Sequence, residues 1–178
     1  MGEFEVAHLR RFGFGLAVDE PYQHYHYAGR ADVVAWDARD RALLHIENRT
    51  RFPDFQEMAG SFNSKRAYLG AAMAERVGIL GWASETHVIA ALWSSEVLHA
   101  LRMRTASVHA LCPSDVRAFE GWWEGVPPPT GRWSVAVALD PLASGRQRTF
   151  VGLEDALTVR SRYRGYADAA SAMMTGGE

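Results

Sequence analysis

The sequence predicts an α/β domain built on a mixed central sheet, an antiparallel meander followed by a parallel β-α-β unit, with helices on its flanks. Three observations carry this. Residues 16 to 48 hold three strand-like runs separated by short polar turns. Residues 54 to 77 have the length and the apolar spacing of one long helix. After Gly81, strand and helix patterns alternate, as crossover connections between parallel neighbours require. At 178 residues, 48% hydrophobic and 22% charged, the chain reads as a single domain over residues 1 to 178 with a sizeable core.

Phe4, Val6, Leu9 and Phe12 fall near helical spacing, so residues 3 to 13 form a short helix stopped by Gly13 and Gly15. Leu16 to Tyr27 is aromatic and β-branched enough for a first strand. ADVVAWD (31 to 37) and ALLHIEN (42 to 48) flank a polar turn and make a hairpin that completes the meander. Asp54 is placed to cap the long helix, with Glu57 three residues on. Phe55, Met58, Phe62, Leu69 and Met73 supply its apolar stripe. Then come a strand THVIAALW (86 to 93), a helix from Ser95 to Met103, a strand SVHAL (107 to 111) and a helix from Ser114 to Trp123. GVPPPTG (125 to 131) breaks either element and is a loop, after which WSVAVAL (133 to 139) reads as a strand. The pattern beyond Leu139 determines little.

The formal net charge of −2 argues against a histone-like polyanion binder, while leaving room for a local basic patch. Cys112 is the only cysteine, which excludes an intrachain disulfide and a cysteine-rich zinc cluster and makes a reducing cytoplasm the default. No stretch approaches the ~18 to 20 apolar residues of a membrane span, so no membrane partner is expected. Of the 19 basic residues 18 are arginine, leaving Lys65 as the single lysine.

Three carboxylates fall where the meander brings strands together: Glu20 on the first strand, Asp32 at the start of the second and Glu47 late in the third. The start of one strand and the end of its antiparallel partner share a sheet edge, so Asp32 and Glu47 are expected to be neighbours. Clustered carboxylates repel unless a proton or cation intervenes, and hard oxygen ligands suit Mg²⁺ or Mn²⁺. A divalent ion held there could activate water against a phosphodiester. The plainer reading is that Asp32 caps a strand and Glu47 pairs with Arg49 or a neighbouring strand.

GRADVVAWD, then ALLHIENRT, then a helix bearing GSFNSKRAYL, resembles the core of the PD-(D/E)XK superfamily, the restriction-endonuclease-like nucleases. More narrowly it resembles an actinobacterial nuclease-like domain often fused behind a helix-turn-helix regulator. The resemblance covers residues from about 15 to 78. It implies a divalent-metal-dependent nuclease with a restriction-endonuclease-like core, Mg²⁺ or Mn²⁺ as cofactor, and nucleic acid, DNA first, as partner. On it, Asp32 and Glu47 are the metal ligands, Glu20 is a further acidic residue, and Thr50 agrees with the family pattern. Arg49 stands where the family has its catalytic lysine. Arginine stays protonated and presents a planar fork, so Arg49 suits charge stabilisation and not proton abstraction. Lys65 matches a basic position on the following helix and could supply the missing ammonium; with Arg66 it could equally form a solvated helix face. No helix-turn-helix is evident, so target choice would need a partner protein, a second copy of the chain or an intrinsic groove. The rival expectation is a nuclease-fold module without catalysis, serving nucleic-acid or protein binding in regulation or defence.

His24 and His26 alternate on the strand that carries Glu20, a set open to zinc, but lining of a groove or an exposed sheet face is the preferred reading. His45 either positions water beside the acidic site or is a satisfied strand histidine. Gln56 on the helix after the acidic strand lacks the tyrosine that would make it a nuclease signature. Trp122 and Trp123 are expected to pack, and Cys112 to be a buried small hydrophobe. Arg160, Arg162 and Arg164, interleaved with Tyr163 and Tyr166, could contact a phosphate backbone or form a solvated edge strand.

Overall fold

A computed structural model describes residues 1–24, 27–144 and 146–175. Six strands form one sheet in sequential order, β1 (Gly15–His24), β2 (Tyr27–Asp37), β3 (Ala42–Arg49), β4 (Ser84–Leu92), β5 (Gly131–Leu139) and β6 (Phe150–Gly152). The first three are an antiparallel meander, β3, β4 and β5 run parallel, and β6 returns antiparallel. This is the mixed α/β sheet that the sequence predicts.

Local chemistry explains the boundaries. Helix α1 (Gly2–Arg10) gives way to a turn ending at Gly13, whose φ of 80° favours glycine. The β2–β3 turn is closed by Asp37, whose carboxylate accepts from the backbone N–H of Arg39 and Asp40. Helix α2 (Phe55–Val77) begins at Asp54, which accepts from Glu57 N at 3.0 Å, and ends at Gly78 in the left-handed conformation. It is the crossover between parallel β3 and β4.

Alternation along the strands sorts side chains to two faces. One face packs Val33, Ala35, Leu44, Ile46, Val88 and Val135 against Leu9 of α1 and Phe119 and Trp122 of α5 (Arg117–Trp123). The other carries α2, with Leu69 and Met73 on Val34 and Leu43. On that same face α3 (Ser95–Met103) and α4 (Thr105–Leu111) cover Ile89, Ala91 and Ala136. Short α6 (Leu153–Ala156) and α7 (Tyr166–Thr175) complete the order.

Two expectations are corrected. SVHAL is helical: α4 buries Val108 and Leu111, three apart, and leaves Ala110 exposed, where a strand would bury alternate residues. The parallel partner of β4 is therefore β5, and the crossover between them contains α3, α4 and α5. The last of these helices starts at Arg117, with Asp115 accepting from Arg117 N, and not at Ser114. β6 had no clear signal in the sequence because three residues are too few to show a period.

Candidate functional site

The β2–β3 register pairs Val34 with His45 and Val33 with Ile46, which brings Asp32 alongside Glu47 at the end of β3. Strand alternation then puts His45, Glu47 and Arg49 in one row on the α2 face. Within this row Glu47 is fully buried and both its oxygens are engaged. His45 Nε2 lies 2.8 Å from Oε1, while Lys65 Nζ at 2.6 Å and Arg49 Nη2 at 2.9 Å donate to Oε2.

Asp32 is the more open carboxylate. Its Oδ2 accepts from the backbone N–H of Asn48 at 2.7 Å and lies 3.5 Å from Arg49 Nη1. The Arg49 guanidinium also donates to the carbonyl of Asn48 at 2.8 Å. One planar cation thus sits among three oxygens: a carboxylate from β2, a carboxylate from β3 and a backbone carbonyl between them. Lys65 is buried against the same carboxylate from the fourth turn of α2 and is not part of a solvated helix face.

Electrostatics follow the geometry. Burial disfavours charge on Glu47, but the hydrogen bond from His45 and the Lys65 ammonium outweigh it and hold the carboxyl down at about 2. Burial pushes His45 down to about 4, against its hydrogen bond to Glu47, so the ring is neutral at pH 7. It also stacks on Phe62 at 5.9 Å between ring centroids, which fixes its plane.

A second polar group beneath the site gave no signal in the sequence. Glu5 of α1 is wholly buried and accepts from Asn48 Nδ2 at 2.7 Å. Burial raises its carboxyl to about 7, with the Asn48 bond opposing the rise. Glu5 Oε1 and Asn48 Oδ1 both remain without a hydrogen-bond partner, as a protonated carboxyl facing an amide would permit.

Glu20 has a different partner from Asp32 and Glu47. Its carboxylate is tied to Arg76 near the C-terminus of α2, and among the described residues no three His, Cys, Asp or Glu side chains form a group able to hold a metal ion. The donor chemistry of the remaining site nonetheless fits a hard divalent cation. Asp32, Glu47 and the Asn48 carbonyl are all oxygen donors, and they already surround the positively charged Arg49. Beside them an open pocket of about 360 Å³ is lined by Arg49, Arg51 and Ser61 together with Asp54 and Glu57, so the site adjoins an accessible wall of mixed charge.

The other candidates fall as follows. His26 lies outside the described residues, as does the His24 side chain. Gln56 is exposed on the first turn of α2. Trp122 is buried with Nε1 donating to Thr86 Oγ1, and Trp123 stacks on His8 at 3.9 Å, so both pack as expected. Burial pushes the Cys112 thiol up to about 12. Arg160, Arg162 and Arg164 are exposed, but the segment carries a single bridge, Ser94 with Tyr163, and Arg162 is drawn 5.0 Å over Trp93 and 3.8 Å from Asp140. No helix among the described residues is long and apolar enough to cross a membrane.

Comparison with protein-family models, characterised proteins and solved structures finds no match for this chain.

Proposed function

We propose that the protein is a divalent-metal-dependent phosphodiester hydrolase acting on nucleic acid, DNA first, on a restriction-endonuclease-like core. The observation that carries this reading is the Asp32, Glu47 and Asn48 carbonyl triad closed around one cation, with a buried lysine on the same carboxylate. The order α1-β1-β2-β3-α2-β4, a meander with a parallel fourth strand, also supports the resemblance carried by GRADVVAWD and HIENRT.

Asp32, Glu47 Oε2 and the Asn48 carbonyl would hold Mg²⁺ or Mn²⁺. When bound, such an ion polarises a phosphoryl oxygen and acidifies water. The chain's own residues then divide the work. His45 fixes Glu47 through Oε1, leaving Oε2 to Lys65 and Arg49. Arg49, with a side chain about one quarter exposed, is free to swing to the pocket and present its fork to a phosphate. Lys65, donating to Glu47 Oε2 from α2, supplies at this carboxylate the ammonium that Arg49 cannot replace as a proton carrier.

A second reading has its own observation. Every oxygen of Glu47 is already satisfied by a side chain, as in a closed internal ion pair. That arrangement favours a nuclease-fold module that binds nucleic acid or protein without catalysis. Labelled single- and double-stranded DNA and RNA, incubated with Mg²⁺, Mn²⁺ or EDTA, separate the two. Metal-dependent cleavage lost in Asp32→Ala and Glu47→Ala supports the hydrolase; a folded wild type inert on all substrates, and still inert as Arg49→Lys, refutes it.

A further inference from the structure

The hydrolase reading uses the opening beside the Asp32–Glu47 cluster and leaves a second, larger one unassigned. This groove has a volume of about 700 Å³ and lies between residues 51–53 of the β3–α2 loop and one face of α3. Glu96, His99, Met103 and Arg104 recur along that face at helical spacing, while Val97, Leu98 and Leu101 are buried on the other. Residues 51–53 also line the pocket of about 360 Å³ that contains Arg49, so the loop is a wall common to both openings. From Arg49 to Phe52 the chain spans at most about 11 Å.

Both walls are firmly built. Ser94 caps α3 by accepting from Val97 N at 3.3 Å, and the N–H groups of Ser95 and Glu96 donate to the carbonyls of Tyr163 and Arg164 at 2.7 and 3.2 Å. Across the groove Phe52 is half-buried against the core, its ring centroid 6.3 Å from that of Phe55. Arg104 is exposed, with its guanidinium held 6.0 Å over the Phe55 ring, and Met103 is 70% exposed beside it. Arg51 is also exposed, and among the described residues its side chain makes no hydrogen bond or ion pair. The one carboxylate of the groove, Glu96, lies about 12 Å along the helix from Arg104.

A phenyl ring, a thioether and a guanidinium plane offer flat apolar and π contact, and Arg51 adds an unpaired cation. A nucleobase with its own phosphate matches that combination: the ring face stacks on aromatic and guanidinium planes while the phosphate takes the cation. A duplex does not match it. Its base faces are covered by their neighbours, and binding through phosphates alone calls for a run of cations, where this groove has two arginines against one carboxylate.

We propose that the α3 groove receives an unstacked base of single-stranded nucleic acid, from a nucleotide adjoining the phosphate at Arg49, with the base on Phe52, Met103 and Arg104 and its phosphate on Arg51. This assignment rests on the nucleic-acid reading of the Asp32–Glu47 site and narrows its substrate to single strands. Binding is non-covalent, and sequence preference is weak, since every base has a π face.

Fluorescence anisotropy of the full chain tests this in EDTA, which prevents metal-dependent cleavage, with a labelled oligothymidylate and a duplex and an abasic strand of the same length. The oligothymidylate is expected to bind about fivefold or more tighter than either of the others. Phe52→Leu keeps apolar volume and removes the ring, and Arg104→Gln changes an exposed side chain. Each should cost the oligothymidylate about fivefold or more in affinity and leave duplex binding at the wild-type value. Equal affinity for all three ligands, no saturable binding of the oligothymidylate, or either folded variant binding like wild type would overturn the assignment. Cleavage assays separate this from the hydrolase reading. Metal-dependent cleavage with an unchanged KM in Arg104→Gln keeps the hydrolase and removes the groove, whereas strand-selective binding without cleavage keeps the groove and removes the hydrolase.

Discussion

Lys65→Met tests the centre of the site. The lysine reaches Glu47 at 2.6 Å with side chains only 7% and 1% exposed, so the substitution leaves a buried carboxylate short of one cation. Breaking a buried pair by removing one partner costs roughly 3 to 5 kcal/mol. Arg49 at 2.9 Å and His45 at 2.8 Å stay in place and put the expected loss at the lower end, about 3 kcal/mol. Methionine keeps most of the volume, so little of this comes from packing. For a chain of this size the melting temperature should fall by roughly 6 to 12 °C. Urea unfolding at neutral pH measures the loss, and Glu47→Gln in the same background should recover much of it, because no charge is then left unpaired.

The pH dependence supplies a second readout. Glu47 is held at about 2, below its ordinary 4.5, so its contribution is present above pH 4.5 and is lost as pH falls toward 2. Without Lys65 that depression weakens, and the variant's acid limb should shift upward in pH. A loss under about 0.5 kcal/mol, uncoupled to Glu47→Gln, would refute the assignment of Lys65 as the counter-charge of Glu47.

Glu5 should behave with the opposite sign. Its carboxyl is raised from 4.5 to about 7, so the stability it contributes is present below pH 4.5 and lost as pH rises through 7; Glu5→Gln should remove that loss, a gain of up to about 3 kcal/mol at pH 8 in urea unfolding. Gly121→Ala should destabilise by roughly 1 to 3 kcal/mol in the same assay, because the new Cβ would stand 2.5 Å from the backbone carbonyl of Val126, which cannot move as a side-chain tip could. The Cys112 thiol, buried and raised to about 12, should resist alkylation in the folded protein and react at an ordinary rate in denaturant.

What the sequence reveals and what it conceals follow one division. Features written in local chemistry are legible: the Asp54 cap of α2, the breaks at Gly13 and Gly78, and the antiparallel register that puts Asp32 beside Glu47. Features that depend on which helix lies over which strand are not. Glu20 looks equivalent to Asp32 by spacing, but the end of α2 delivers Arg76 to it. Lys65 and Arg66 are adjacent in sequence and diverge in fate, one buried on Glu47 and the other reaching the Leu111 carbonyl. SVHAL has β-branched composition, and only the layer beneath α4 decides that Val108 and Leu111 share a face. The alternation of Glu85 and His87 on β4 is the local signal that the polar row of β3 continues onto the neighbouring strand.

The row His45, Glu47 and Arg49 occupies positions where an α/β core ordinarily places valine, isoleucine or leucine, and the neighbouring strand continues it with His87 and Glu85. Apolar residues of similar volume would give the sheet equal or greater stability, since buried ion pairs seldom exceed hydrophobic replacements. The polar groups also share a direction: the chain of contacts runs from Asp32 through Arg49, Glu47, His45 and His87 to Glu85 and Arg132, with an open pocket at each end. Stability alone does not account for a buried polar row of this length. Its middle member is His45, bonded on one side to Glu47 and on the other to His87, so His45→Leu, which leaves Glu47 Oε1 and His87 Nδ1 each without this partner, should destabilise the chain in urea unfolding by about 1 to 3 kcal/mol.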